Sequence, residues 1–148
     1  MPLPSPQKAI PYIPLFLELS CMKYVSVVAL LVSAIIHLLP VPGVTGPSVL
    51  GRLYGIEVMD ANTSILLQHR ALLFGMLAIL MLLAIGLPKL RMTVLWAGLF
   101  SAASFVVVAL WVGGYNAAIA RVVTADVVVS VLLCAGLYAE WWLRRSVV

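Results

Sequence analysis

His37, His69, Arg70, Asn116, Arg121 and Asp126 are side chains able to do acid–base, ionic or hydrogen-bonding chemistry in or beside long apolar runs. Ionisable groups in such runs are costly, so they face a bundle interior, a partner or water. His37 lies about one turn inside the end of the first run, and Gln68, His69 and Arg70 about one turn inside the second. Asn116, Arg121 and Asp126 follow at the junction of the third and fourth runs and in the first turns of the fourth. An acid at Asp126 must either hold a proton or meet a cation, and Arg70 is the expected partner, fastening the second run to the fourth. His69 and Arg70 differ by about 100° around a helix, so only one of them faces a given neighbour. Arg121 is expected to reach water or lipid phosphate along its own stem, and Asn116 to cap a helix or close a turn.

His37 and His69 come from different runs at similar depth, as two axial ligands of a haem b would. A zinc site would need Asp126 together with Asp60 or Glu57, and that set is not favoured.

These residues need elements to hold them, and the composition says which. The chain has 148 residues, 64% of them hydrophobic and only 9% charged, with a mean hydropathy of +1.17. Soluble domains carry roughly 25% charged residues, so an ordinary water-soluble enzyme is excluded. Apolar runs cover about 22–39, 65–87, 92–113 and 122–143, each near the ~20 residues that cross a bilayer. Without water, only helices satisfy their own backbone there, which predicts an all-α bundle of four transmembrane helices over 22–148. Pro2, Pro4, Pro6, Pro11 and Pro14 predict an irregular extension over 1–21, ahead of a natural-looking start at Met22-Lys23. A mobile extension and an overcalled start both account for it.

Pro40, Pro42, Gly43, Gly46 and Pro47 should stop the first helix, and Ser48–Tyr54 suggests a short interfacial helix in the link that follows. Asp60 to Ser64 supplies caps for the second helix, while Pro88 ends it in a tight turn. Asn62-Thr63-Ser64 also matches a glycosylation sequon, for which capping is the better reading. Ala71-x-x-x-Gly75 and Gly98-x-x-x-Ala102 offer small faces for helix contacts, within the chain or between copies.

Lys8, Lys23, Lys89, Arg91, Arg144 and Arg145 fall on one side and Arg52, Arg70 and Arg121 on the other, which predicts both termini in the cytoplasm. Trp141 and Trp142 then serve as interface anchors. The net charge of +4 belongs to these flanks and not to a nucleic-acid surface. Cys21 and Cys134 are too far apart in sequence to suggest a redox motif and are read as free thiols. Glu18 interrupts a lipoprotein-type leader, and Val41-Pro42-Gly43 lacks a cleavage pattern, so the first run is expected to stay as an anchor.

From His37 onward the chain resembles a family of small four-span bacterial membrane proteins to which no reaction is assigned. The resemblance rests on His37-Leu-Leu-Pro40, Leu53-Tyr54-Gly55, Leu66-Leu-Gln-His69-Arg70-Ala-Leu-Leu-Phe74-Gly75, Gly113-Gly-Tyr-Asn116 and Arg121-Val-Val-Thr-Ala-Asp126, and covers most of 22–143. It implies an inner-membrane location, adds Tyr54, and groups His37, Tyr54, His69, Arg70, Asn116, Arg121 and Asp126 as one recurrent constellation. Members often carry the automatic label phosphopantetheine adenylyltransferase. Such a nucleotidyltransferase is a soluble α/β protein with a His-x-Gly-His-type phosphate site, which neither His37 nor His69 provides, so that activity is rejected.

The favoured expectation is a polar pocket on the non-cytoplasmic side that binds a lipid or quinone-like amphiphile, with binding favoured over catalysis. Two readings compete: a haem-b redox protein or an enzyme on a lipophilic substrate through His69 and Asp126, and a structural subunit of a larger complex or homo-oligomer. Transport is weakest, because the spans show neither an internal repeat nor a broken helix.

Overall fold

The computed structural model describes residues 12–57 and 60–146, with side chains from Cys21 onward. Five α-helices and one 3-10 turn make up the described residues: α1 Tyr12–Leu38, the turn Val41–Thr45, α2 Pro47–Tyr54, α3 Ala61–Gly86, α4 Pro88–Val112 and α5 Ala117–Ser146. No strand occurs among them. Four segments, Cys21–Thr45, Ala61–Gly86, Pro88–Val112 and Ala117–Ser146, are long and apolar enough to cross a membrane. The 26 residues of α3 alone rise about 39 Å against a ~30 Å hydrocarbon core. The protein is a multi-pass membrane protein built as an all-α four-span bundle.

α1 differs from expectation at its start. It begins at Tyr12, within the stretch expected to be irregular. Pro14 falls in the first helical turn, where the missing N–H has no intrahelical partner to lose. Pro2, Pro4, Pro6, Lys8 and Pro11 lie outside the described residues.

The long helices form a ring in which α1 packs on α3 and α5, and α4 packs on α3 and α5. α3 and α5 are therefore diagonal to each other. On α1 the inward face is Ser26, Ala29, Leu30, Ser33, Ala34 and His37, the three-then-four spacing of one helix face. Ala78, Ala84, Ala102, Met81, Leu95, Val129 and Leu133 complete the core, whereas Trp111, Phe100 and Leu66 point outward. Small residues inside and bulky ones outside is the arrangement expected in lipid, where outward apolar surface costs nothing and close backbone approach gains dispersion contacts. Gly98 and Ala102 are buried on α4, while Gly75 faces Val41 of the 3-10 turn at the end of the first span.

Connections position the polar end. Leu87 alone joins α3 to α4, with Pro88 as the first residue of α4, which makes these two helices adjacent and antiparallel. α2 lies across the end of the bundle where α1 finishes and α3 and α5 begin, burying Leu50 and Tyr54 one turn apart. It stops at Gly55, whose left-handed φ of 63° and N–H bond to the Gly51 carbonyl at 2.8 Å close the helix. Asp60 caps α3, its carboxylate accepting from the Thr63 amide at 2.8 Å and the Thr63 hydroxyl at 3.0 Å. Cys21 and Cys134 are free and exposed.

Candidate functional site

Arg70 and Asp126 each lie nine residues beyond the first residue of their helices, 61 to 70 in α3 and 117 to 126 in α5. At 1.5 Å per residue both sit about 13 Å in from the same end of the bundle. A cavity of about 220 Å³ opens there, lined by His37 and Ile36 of α1, Tyr54 and Leu53 of α2, Arg70 and Phe74 of α3, Ser101 of α4, and Ala118, Arg121, Val122, Ala125 and Asp126 of α5. Leu39 and Pro40, at the exit of α1, close the remaining wall.

Arg70 and Asp126 do not form the expected ion pair. Their helices are diagonal in the ring, and no Arg70 nitrogen comes within 4.0 Å of the carboxylate. Arg70 instead lies among aromatic faces, its guanidinium carbon 4.6 Å from the Phe105 ring centre, 4.9 Å from Phe74 and 5.9 Å from Tyr54. Cation–π attraction of this kind holds a guanidinium in place while leaving its in-plane N–H donors free. Among the described residues neither Arg70 nor the Asp126 carboxylate has a hydrogen-bonding partner in the protein, although Asp126 is 92% buried. The Ser130 hydroxyl donates to the Asp126 backbone carbonyl at 2.7 Å and leaves the carboxylate untouched.

His37 is buried and its ring is ordered by two contacts. Nδ1 lies 2.8 Å from the Ser33 carbonyl, and the ring meets Phe74 edge to face at 5.6 Å. A carbonyl only accepts, so Nδ1 carries the proton and Nε2 is the acceptor of the neutral ring. Burial pushes the Tyr54 phenol above its ordinary value, so it stays a neutral hydroxyl on the cavity wall. Arg121 lines the cavity yet is exposed, as a side chain reaching outward from the end of the bundle would be.

His69 is exposed and does not line the cavity that His37 lines. The two histidines do not face one space, so haem ligation by this pair does not fit the fold. The 100° step between consecutive residues turns Arg70 inward and carries His69 out. Gln68 donates to Ser64 at 3.0 Å within α3. No three His, Cys, Asp or Glu side chains among the described residues gather closely enough to hold a metal ion.

Asn116 builds the site without lining it. Its Oδ1 accepts from the Ile119 amide at 2.9 Å and caps α5, while Nδ2 donates to the carbonyls of Tyr54 and Gly55, both at 2.9 Å. One side chain thus starts the helix that carries Asp126 and ends the helix that carries Tyr54.

A second polar cluster, not foreseen from the sequence, occupies the opposite end. Arg91 Nη1 stands 3.5 Å from Glu140 Oε1, which also accepts from the Ser26 hydroxyl at 2.7 Å. Arg91 further donates to the carbonyls of Ala84 at 3.1 Å and Ile85 at 2.7 Å, satisfying the end of α3 across the Pro88 turn. Buried polar groups therefore collect at both ends of the bundle. In the sequence Arg91 reads as one more flanking charge after Lys89. The available signal was Ser26, seven residues before Ser33 and eleven before His37 on one face of α1.

Beside the cavity, α3 and α4 form an apolar groove of about 580 Å³ lined by Leu73, Met76, Leu77, Leu80, Ala97, Phe100, Ser104, Phe105 and Val108. Arg70, Phe74 and Ser101 belong to both spaces. Compared with known protein families, curated proteins and solved structures, the chain finds no significant match.

Proposed function

We propose that this protein binds a membrane amphiphile, of the lipid or quinone-like class, with its polar head in the cavity between α1, α2, α3 and α5 and without catalysing a reaction. The observation that carries this is the pair Arg70 and Asp126, opposite charges at one depth that line a common cavity with no hydrogen bond or ion pair to another described residue. Desolvating a charge costs several kcal/mol unless something compensates it, and a bound head group compensates both at once. The cavity alone, at about 220 Å³, is below the ~300–1,000 Å³ of small-molecule sites, whereas cavity and adjoining groove together fall within that range.

The same proposal includes membership of the four-span bacterial family, an inner-membrane location and both termini in the cytoplasm. Lys23, Lys89, Arg144 and Arg145 are exposed at the end away from the cavity, against Arg52 and Arg121 at the cavity end, which supports that orientation. The polar cavity then lies in the outer half of the membrane.

Native mass spectrometry of protein extracted in a mild detergent tests the reading. A stoichiometric small-molecule adduct is expected on the unaltered protein and is lost from Arg70→Gln/Asp126→Asn. An unaltered protein that carries no adduct, and acquires none when offered membrane lipids and quinones, overturns it.

A further inference from the structure

Arg70 lines both the polar cavity and the apolar groove, whereas Asp126 lines the cavity and not the groove. Moving from groove to cavity, a ligand meets in order an apolar trough, a cation rich in free N–H donors, and a buried acceptor without a donor. This order restricts the chemistry of what fits. The group at the junction must carry acceptor oxygens, preferably anionic, because a guanidinium offers only donors. The group beyond it must carry N–H or O–H donors, preferably cationic, because a carboxylate offers only acceptors. The part behind the junction must be a hydrocarbon chain.

We infer that the ligand is an aminophospholipid, with its phosphate on Arg70, its primary ammonium on Asp126 and an acyl chain in the α3–α4 groove. The inference rests on the amphiphile reading above and narrows it to a zwitterionic head group. In such a lipid the phosphate lies between the chains and the amine, the same order in which the protein presents groove, cation and acid. Arg121, exposed at the rim, supplies a second donor set for a phosphate oxygen. An anionic lipid without an amine leaves Asp126 uncompensated, and so does an oxidised quinone, whose carbonyls only accept. With Nδ1–H donating to the Ser33 carbonyl, a neutral His37 ring offers an acceptor at Nε2 and no further charge.

The test uses full-length protein in detergent micelles, titrated with phosphatidylethanolamine, phosphatidylglycerol and decylubiquinone and read by native mass spectrometry and tryptophan fluorescence. Phosphatidylethanolamine is expected to bind about 10-fold more tightly than phosphatidylglycerol with the same chains, the size of one charge-assisted hydrogen bond. Asp126→Asn should remove that preference by weakening phosphatidylethanolamine alone, whereas Arg70→Gln weakens both phospholipids. Leu73→Trp, at an exposed groove position, should weaken long-chain phosphatidylethanolamine and leave glycerophosphoethanolamine unaffected. Equal or tighter binding of phosphatidylglycerol, an Asp126→Asn loss common to both phospholipids, or preference for decylubiquinone overturns the aminophospholipid assignment while amphiphile binding stands. Failure of the unaltered protein to bind any of the three overturns both. Retained helical circular dichroism and an unfolding temperature close to that of the unaltered protein certify each variant.

Discussion

The side-chain amide of Asn116 donates to the backbone carbonyl of Tyr54 at 2.9 Å, joining the start of the last span to the end of the short helix that roofs the cavity. The same amide reaches Gly55, where an added Cβ would come within 3.3 Å of it. Asn116→Ala removes a helix cap and two tertiary hydrogen bonds together. At about 1 kcal/mol for each, a loss of roughly 2–3 kcal/mol in unfolding free energy is expected, measured in detergent by circular dichroism. Asn116→Asp keeps the cap but sets a carboxylate against two carbonyls. It should retain α5 helicity while weakening ligand retention, and a variant with unchanged ligand binding would show that α2 needs no tether.

At the opposite end, Arg91 and Glu140 are both buried, and their roles are unequal. Glu140 has Ser26 as well as Arg91, whereas Arg91 also serves two otherwise orphaned carbonyls of α3. Arg91→Met should therefore cost more than Glu140→Gln, about 3–5 kcal/mol for breaking one side of a buried pair. The double variant should cost less than the sum of the two, and additive losses would mean that the two charges are not coupled.

Gly136 sits where α5 packs closely on α1 and α4. A Cβ there would stand 3.0 Å from both Ala29 Cβ and Leu95 Cδ2, and Ala29 cannot yield without moving the α1 backbone. Gly136→Ala is expected to destabilise by about 1–3 kcal/mol, as overpacking does in cores. At Gly98 the obstacles are side-chain ends, the terminal methyl of Met81 and Leu133 Cδ1, which can shift without moving a backbone, so Gly98→Ala should be milder. Unfolding temperatures in one detergent decide the order.

Asp60 makes the start of α3 sensitive to acid. Its carboxyl is held below the usual range by the Thr63 amide first and then by the Thr63 hydroxyl and Asn62. A carboxyl depressed in the folded state stabilises the helix end above its unfolded value and loses that contribution as pH falls through the folded one. Hydrogen exchange of the Thr63 amide, compared with Asp60→Asn at each pH, should show protection that fades only in the acid range. Asn caps without titrating, so identical profiles for the two proteins would remove the effect.

The four spans, the Pro88 turn, the short helix after Pro47 and the Asp60 cap were legible in the residues, because each rests on chain-local physics. Run length against bilayer thickness, a missing imide N–H and a side-chain oxygen three residues from an amide involve no distant partner. The gathering of His37, Arg70, Arg121 and Asp126 was legible as shared depth, since polar residues in apolar helices had to meet something, whereas Tyr54, on the short α2 outside the spans, was not. Which groups touch was not legible. The spans are apolar on every face, so hydrophobic periodicity does not reveal the order of helices around the ring. Only the tertiary arrangement set α3 diagonal to α5, which keeps Arg70 from Asp126 and leaves both facing a cavity. The same arrangement turned His69 outward and brought Arg91 to Glu140 across 49 residues of chain. Depth along a span is written in the sequence; the angle around it is decided by how close the small residues let neighbouring backbones come.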